Sequence, residues 1–203
     1  EADKLIEEGK VKINGKVVTN LATKVSNNDE VEIGRKKIKE DKNKISTVIV
    51  YNKPKGEIVS KKDPQGRRTI YDSLDHKYKH FLSVGRLDYA SEGLLLLSDS
   101  VTIVDALMHS DLERVYKIKV NGVITKPVEE AMQHGLEIED ATSGAYKTSK
   151  IKSMSFAPFL AYDILTNSEK FSKIKVVISE GKNRELRRFF AHFGLDVLDL
   201  KRL

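Results

Sequence analysis

Residues 85–99 read GRLDYASEGLLLLSD, in which a charged loop between two glycines runs into four consecutive leucines. A leucine run this short, followed by the turn-forming residues Ser98 and Asp99, is typical of a strand and not of a helix. Since the run contains no polar residue, we predict a strand that is buried on both faces. It would carry Asp88 to the edge of the core, where the charge of Arg86 keeps a partly desolvated carboxylate ionised. Such a carboxylate is suited to act as a nucleophile or a base.

The composition indicates a cytoplasmic protein that depends on neither disulfides nor a metal. The chain has 203 residues, of which 39% are hydrophobic and 33% are charged, and no apolar run reaches the length that spans a bilayer. Cysteine is absent, and the first residues show no signal-peptide pattern. The five histidines are dispersed and lack the close pairing of a zinc helix. We therefore expect no membrane association and no bound metal.

The charge balance favours a polyanionic partner. Lysine and arginine number 36 against 30 acidic residues, a net charge of +6, although many basic proteins bind no nucleic acid specifically. The basic run at residues 35–44 is typical of a solvated linker. We accordingly predict a small module with a basic linker at residues 1–40, which has a helix and an Asn14-Gly15 hairpin, and a larger domain at residues 45–203.

Strands outnumber helices in the larger domain. Several connections are too short for crossover helices, so we predict an α+β fold with a mixed, mostly antiparallel sheet flanked by helices. The predicted strands are 47–51, 81–84, 93–97, 115–120, 151–154, 159–165 and 174–178. The predicted helices are 101–109, 127–134 and 184–192.

A second informative stretch, ISEGKNRELRRFFAHFG, occupies residues 178–194. Its apolar residues recur at helical spacing and are expected to face the core. Cations near a helix start oppose the helix dipole, so stability alone does not account for the three arginines. We predict that Arg184, Arg187 and Arg188 point away from the core toward an anionic partner, the alternative being a solvated basic face.

These stretches, together with NKPKG at 52–56 and VYKIKV at 115–120, resemble the bacterial ribosomal RNA pseudouridine synthases of the RsuA/RluB type. The opening EADKLIEEGKVKINGKVV resembles the later part of the small RNA-binding domain named after ribosomal protein S4. Residues 52–74, NKPKGEIVSKKDPQGRRTIYDSL, are most similar to the RluB branch, which modifies large-subunit rRNA. The resemblance implies a partial S4-like module followed by a catalytic domain, and a chain that lacks both ends of the complete protein.

The resemblance also implies a chemistry. Enzymes of this family turn uridine into pseudouridine without a cofactor, and Asp88 matches their essential carboxylate. It would either attack the anomeric carbon of the sugar or remove the neighbouring sugar proton, and the residues do not decide between the two. Arg187 matches the arginine that pairs with this carboxylate, Tyr116 the tyrosine that packs against the base, and Leu200 an apolar residue of the uracil pocket.

The partner implied is ribosomal RNA or a ribosome-assembly intermediate, bound by a monomer. The expected pocket includes Arg86. The other expected RNA contacts in the larger domain are Lys53, Lys55, Arg67, Arg68, Arg184 and Arg188. Lys10, Lys12 and Lys16 would add a phosphate contact from the small module. One departure from the family is Glu185, which stands where glutamine is usual.

Three other interpretations are open. The chain could be a non-catalytic rRNA-binding or ribosome-assembly module that retains the fold, or a synthase acting on small-subunit (16S) rRNA. A glycoside hydrolase could use Asp88 and Glu92 as paired carboxylates. The absence of tryptophan, a common sugar platform, counts against the last.

Overall fold

The amino-terminal part is a helix followed by a small antiparallel sheet. The computed structural model describes residues 2–26, 28–38, 45–146 and 148–203, and the chain forms two compact units, Glu1–Ile45 and Ser46–Leu203. The elements of the first unit are α1 (Ala2–Glu7), β1 (Val11–Ile13), β2 (Lys16–Val18), β3 (Val31–Ile33) and β4 (Lys36–Ile38), in the sheet order β2-β1-β3-β4. Asn14 (φ 51°) and Gly15 (φ 79°) form the predicted tight turn between β1 and β2, as positive φ at both central residues requires.

The prediction of a solvated linker from residue 35 is wrong for residues 36–38. These residues form β4, which pairs antiparallel with β3 in a register that places Val31 opposite Ile38. All three side chains of β4 are exposed, so no alternation of apolar and polar residues marks the strand. Residues 39–44 of the predicted linker lie outside the described residues.

The second unit contains the larger sheet and four helices among its described residues. Its first elements are β5 (Val48–Lys53), α2 (Ile70–Ser73), β6 (Leu82–Ser83), β7 (Glu92–Ser98), α3 (Val101–Met108), β8 (Arg114–Asn121) and α4 (Lys126–His134). They are followed by β9 (Leu136–Ile138), β10 (Met154–Phe156), β11 (Ala161–Thr166), β12 (Phe171–Ile178), α5 (Glu185–His192) and β13 (Val197–Arg202). The α+β class and the mixed, mostly antiparallel sheet are confirmed.

The seven-stranded sheet has the order β11-β12-β8-β13-β7-β5, with β6 also paired to β7. All pairs are antiparallel except β13 with β7. Strand β13 was not predicted, because its sequence VLDLKR is short and half polar. At its parallel contact with β7, a Cβ on Gly93 (φ +107°) would lie 2.0 Å from the Arg202 carbonyl oxygen. The close approach of the two strands therefore requires glycine.

The main core lies on one face of this sheet, against α4 and α5. Phe189 and Phe190 of α5 are fully buried there, as the helical spacing predicted. Leu95 and Leu97 of β7 are also fully buried, but in a separate cluster on the other face, with Ile70 and Phe81. Their neighbours Leu94 and Leu96 are half-buried because they line a cavity. The prediction that β7 is buried on both faces is therefore wrong for its cavity side.

Among the described residues, no helix is both long enough and apolar enough to cross a membrane.

Candidate active site

Asp88 lies in the loop between β6 and β7, which a buried lysine holds in place. The Lys53 ammonium, at the end of β5, donates hydrogen bonds to the carbonyl oxygens of Ser91 (2.7 Å), Pro54 (2.9 Å) and Asp88 (3.1 Å). The backbone N–H of Ser91 also donates to the Asp88 carbonyl oxygen at 3.0 Å. These bonds fix the backbone on both sides of the half-buried Asp88 carboxylate.

Lys53 itself is fully buried. The prediction that it contacts RNA is therefore wrong, because its ammonium is enclosed by the turn that it stabilises. Burial lowers the pKa of Lys53 to about 8, although the carboxylates of Glu57, Asp88 and Glu92 act in the opposite direction. A buried ammonium that bonds only to carbonyl oxygens gains no full countercharge, which accounts for the direction of this change.

Two arginines from the start of α5 approach the Asp88 carboxylate. Arg184 Nη1 lies 3.3 Å from Asp88 Oδ2, and Arg187 Nε lies 3.5 Å from the same oxygen. The structure thus brings together Asp88 and Arg187, which are distant in sequence, and adds Arg184. Arg86, the cation expected from the sequence to hold the charge of Asp88, has an exposed side chain at the cavity wall.

Arg187 is fixed in its orientation by further hydrogen bonds. It donates to the carbonyl oxygens of Val197 (3.1 Å) and Ala90 (3.2 Å) and to Ser91 Oγ (3.1 Å). Burial lowers the pKa of Arg187, and the positive charge of Arg184 lowers it further by a smaller amount. The Asp88 carboxylate acts in the opposite direction. Because a guanidinium in a protein stays protonated even so, Arg187 presents a fixed positive charge to Asp88.

Arg184 is held in an unusual backbone conformation. Its φ of 51° is in the left-handed region, which is uncommon for a residue other than glycine. The side chain donates to the Gly144 carbonyl oxygen at 2.6 Å, and its guanidinium lies 4.2 Å from the ring centre of Tyr146. Gly144 (φ +72°) has no room for a Cβ, which would lie 2.4 Å from the Arg187 carbonyl oxygen. The segment around Gly144 and Tyr146 is thus packed directly on the start of α5.

Arg188 does not face a partner, so the prediction that it binds RNA is wrong. Its side chain is fully buried and all of its nitrogens donate to protein oxygens. The acceptors are the carbonyl oxygens of Asn183, Ala141 and Ile151, Ser149 Oγ and Asn183 Oδ1. Arg188 therefore anchors the described residues of the 141–151 segment onto α5. Helical spacing alone does not show whether an arginine is buried in this way or exposed to solvent.

A cavity of about 480 Å³ opens beside Asp88, a size within the usual range for small-molecule sites. Its wall includes Tyr116 of β8, Leu200 of β13, Leu186 of α5 and Ile178 of β12. Tyr116 and Leu200 are buried, being 8% and 6% exposed. Burial raises the pKa of Tyr116, and the charges of Arg202 and Arg114 partly offset that rise. The cavity thus combines apolar walls with Asp88 and its two arginines, and its lining also includes the carboxylates of Glu113 and Glu185.

Glu185 also lines the cavity, although it is buried. Glu185 is the first residue of α5, and its Oε2 accepts a hydrogen bond from the backbone N–H of Lys182, just before the helix, at 2.9 Å. Burial raises the pKa of Glu185, and the bond from Lys182 acts in the opposite direction. The residue that departs from the family pattern thus satisfies a backbone group at the helix start.

Several of the cations that the sequence suggested as RNA contacts are paired within the chain. Lys55 lies 2.6 Å from Asp199, Lys10 lies 2.6 Å from Glu8, and Arg67 lies 2.8 Å from Asp63. Arg68 donates to Ser73 Oγ at 2.8 Å and lies 3.4 Å from Glu57. Lys12 is half-buried and Lys16 is exposed.

Sequence reasoning missed Tyr146 and the structural role of Lys53. No pattern marks Tyr146, which lies in an irregular segment. For Lys53 the available signal is its position at the end of a β-branched strand, directly before the turn at Pro54 and Gly56.

The chain is similar to known proteins along its whole length. The family model for RNA pseudouridylate synthase matches residues 47–192, and the S4 domain model matches residues 1–31. Over 203 residues the chain is 58% identical to an uncharacterised RNA pseudouridine synthase of Helicobacter pylori (strain ATCC 700392 / 26695), covering all of this chain and 77% of that protein. It is 33% identical over 204 residues to the ribosomal large subunit pseudouridine synthase B of Bacillus subtilis (strain 168), covering all of this chain and 78% of that protein.

A crystal structure of pseudouridylate synthase is 25% identical to the chain, with a TM-score of 0.64, and the match covers 99% of this chain and 80% of that one. The fold and the matches define the class of protein as an isomerase that modifies RNA. The chain belongs to the RNA pseudouridylate synthase family and carries an S4 domain at its amino terminus.

Proposed function

We propose that this chain isomerises a uridine of large-subunit (23S) ribosomal RNA to pseudouridine, with Asp88 as the reactive carboxylate. The observation that carries the proposal is the position of Asp88 Oδ2, within 3.3 Å of Arg184 and 3.5 Å of Arg187, at a cavity of about 480 Å³. The choice of large-subunit rRNA is supported by the name of the Bacillus subtilis relative.

The reaction breaks the bond between the sugar C1′ and the base N1, and joins C1′ to C5 of the same base. The proton on C5 is released to solvent and the freed N1 takes up a proton, so the product is an isomer of the substrate. Asp88 either attacks C1′ or removes the proton on the neighbouring sugar carbon, and in both cases it must be ionised. The two arginines place positive charge beside the carboxylate and hold it at one side of the cavity.

The target nucleotide must leave its stack, since a sugar carbon next to a stacked base is not accessible to an enzyme carboxylate. The flipped base would pack against the ring of Tyr116 and the side chain of Leu200, which lie on neighbouring strands of the cavity wall. Stacking of a base on an aromatic ring contributes about 1–3 kcal/mol. The S4 domain, through Lys10, Lys12 and Lys16, would add a phosphate contact that raises the effective concentration of the RNA.

Tritium release from 23S rRNA labelled at C5 of uridine tests this proposal. We expect release by the wild-type protein, and a loss of at least about 1,000-fold in Asp88→Asn with RNA binding retained, because the amide has the same shape but cannot act as nucleophile or base. Asp105→Asn, at an exposed carboxylate of α3, is the matched control and should be fully active.

Equal turnover by Asp88→Asn and the control would exclude Asp88 as the reactive group. RNA binding without release by the wild-type protein, on naked rRNA and on assembly intermediates, would instead indicate a non-catalytic module. Release from 16S but not from 23S transcripts would redirect the substrate assignment and leave the chemistry intact.

A further inference from the structure

The side of the large sheet that faces away from the cavity carries five lysines on three neighbouring strands. Side chains alternate between the two faces of a strand. Tyr116, Ile118, Ile174 and Leu200 face the core and the cavity. The residues between them face the opposite way, and we call this group the lysine face: Lys117, Lys119, Lys173, Lys175 and Lys201.

The strand registers place these lysines directly opposite one another. Lys175 of β12 pairs with Lys117 of β8, which pairs with Lys201 of β13. In the next row, Lys173 pairs with Lys119. Neighbours of this kind have Cβ atoms about 4.5–5.5 Å apart, and like charges in that arrangement destabilise a sheet. The fold therefore brings five positive charges together on one side of the sheet.

Carboxylates on neighbouring strands stand opposite three of the lysines, and Glu92 is the one opposite Lys201. None of the five lysines forms an ion pair with any residue in the described part of the chain. Asp199, beside Lys119, pairs instead with Lys55 at 2.6 Å. Asp163 stands opposite Lys175 at the edge of the group. Lys119 and Lys173 lie over the ring of Phe171, at 4.4 Å and 5.7 Å from its centre.

We infer that the lysine face is a second RNA-binding surface, which contacts the phosphate backbone of the substrate RNA away from the target uridine. Protein–protein interfaces have an apolar centre and few lysines, whereas interfaces with nucleic acids are strongly positive. The lysine face has lysines in its centre, spaced about 6.6 Å apart along each strand. A row of phosphates would neutralise the like charges that the sheet holds together.

The inference rests on the proposed function, because it takes ribosomal RNA as the ligand. It predicts RNA binding outside the cavity, which an enzyme that contacts RNA only through the cavity would not show. A large folded RNA can contact both sides of the sheet, but a short single strand that fills the cavity cannot. The lysine face should therefore affect the binding of long RNA and not that of short RNA.

The test is the triple variant Lys117→Gln/Lys175→Gln/Lys201→Gln, compared with Lys77→Gln/Lys79→Gln/Lys126→Gln, which removes the same charge from other exposed positions. The probes are a full-length 23S rRNA transcript and an oligouridine of about twelve nucleotides. For the transcript, we expect the lysine-face variant to bind about tenfold more weakly, with a slope of log affinity against log salt that is shallower by about 2–3. For oligouridine, both variants should bind as the wild type does.

An unchanged salt slope on the transcript, or an equal loss in the control variant, would overturn the inference. Thermal unfolding provides a second measurement, since removing like charges should leave the transition temperature unchanged or raise it. A lowered transition temperature would show that the lysines serve the fold instead. These readouts are independent of turnover: failure of tritium release in the wild type would refute the proposed reaction without touching the salt-slope result.

Discussion

Two irregular segments border the candidate active site, and each is anchored by a buried cation that donates to backbone carbonyl oxygens. Lys53 holds the loop that carries Asp88, and Arg188 holds the segment whose Gly144 and Tyr146 contact Arg184. The two anchors differ in their chemistry. The ammonium has a pKa lowered to about 8, whereas a guanidinium stays protonated at any pH at which the protein is folded. The Asp88 loop is thus attached by a titratable group and the other segment is not.

The Arg188 anchor should have the largest effect on stability. Arg188→Met leaves the acceptors of five hydrogen bonds without their donor, two of them on Asn183. We expect the free energy of unfolding to fall by about 2–4 kcal/mol, as measured by denaturant titration of the second unit's transition. The neighbouring substitution His192→Gln, at an exposed position of the same helix, should have little effect. A fully stable Arg188→Met protein would show that the segment is held by other contacts.

The Lys53 anchor should show its effect in turnover and in its dependence on pH. Lys53→Met should lower kcat about 10- to 100-fold, because loss of the three hydrogen bonds allows the Asp88 backbone to move by about 1 Å. In the wild type the Lys53 ammonium is charged below about pH 8, and above that pH it loses one N–H donor and its charge. The Asp88 loop is then held less firmly, so kcat should decline as the pH rises through 8.

The pH profile separates a positioning role from a merely structural one. The decline above pH 8 should be absent in Lys53→Met, which has no group to titrate at this position. The control Lys62→Met changes an exposed lysine and should keep both the wild-type rate and the decline. If kcat of Lys53→Met still declines above pH 8, the decline is due to the titration of another group.

Tyr146 should produce the smallest effect. Tyr146 is 47% exposed, and its ring covers one side of the Arg184 guanidinium, a contact worth about 0.5–1 kcal/mol at an exposed site. Tyr146→Ala should therefore change kcat/KM by only a few-fold, whereas Tyr146→Phe, which keeps the ring, should match the wild type. A loss in Tyr146→Phe equal to that in Tyr146→Ala would assign the effect to the hydroxyl group.

The sequence predicted the structure correctly where a short run of neighbouring residues is compatible with only one kind of element. The Asn14-Gly15 turn, the strand after Asp88 and the helix near residue 190 were predicted and are present. The motifs also placed the chain in its family, and the family matches confirm the fold class and the RNA pseudouridine synthase activity. Asp88, Tyr116 and Leu200 were chosen through the resemblance, and the structure places all three at one cavity.

The sequence was misleading where burial depends on distant segments. Arg187 and Arg188 are adjacent in a run of charged residues. The resemblance assigned Arg187 to the Asp88 carboxylate, but no local pattern shows that Arg188 is buried against Ala141, Ser149 and Ile151. Likewise, Lys53 and Lys55 occur in the same turn, yet one is fully buried and the other is half-exposed. A charge predicts exposure in general, but a cation with enough backbone acceptors is stable inside a protein.

The sequence by itself thus determined the class of fold, the family and the carboxylate at the end of the leucine strand, because periodicity, turn residues and motifs are properties of neighbouring residues. The tertiary structure decided that Arg184 joins Arg187 beside Asp88, which cations hold the two bordering segments, and which lysines collect on the far side of the sheet. Those choices depend on strand order and register, which join residues about a hundred positions apart through hydrogen bonds that no local pattern records.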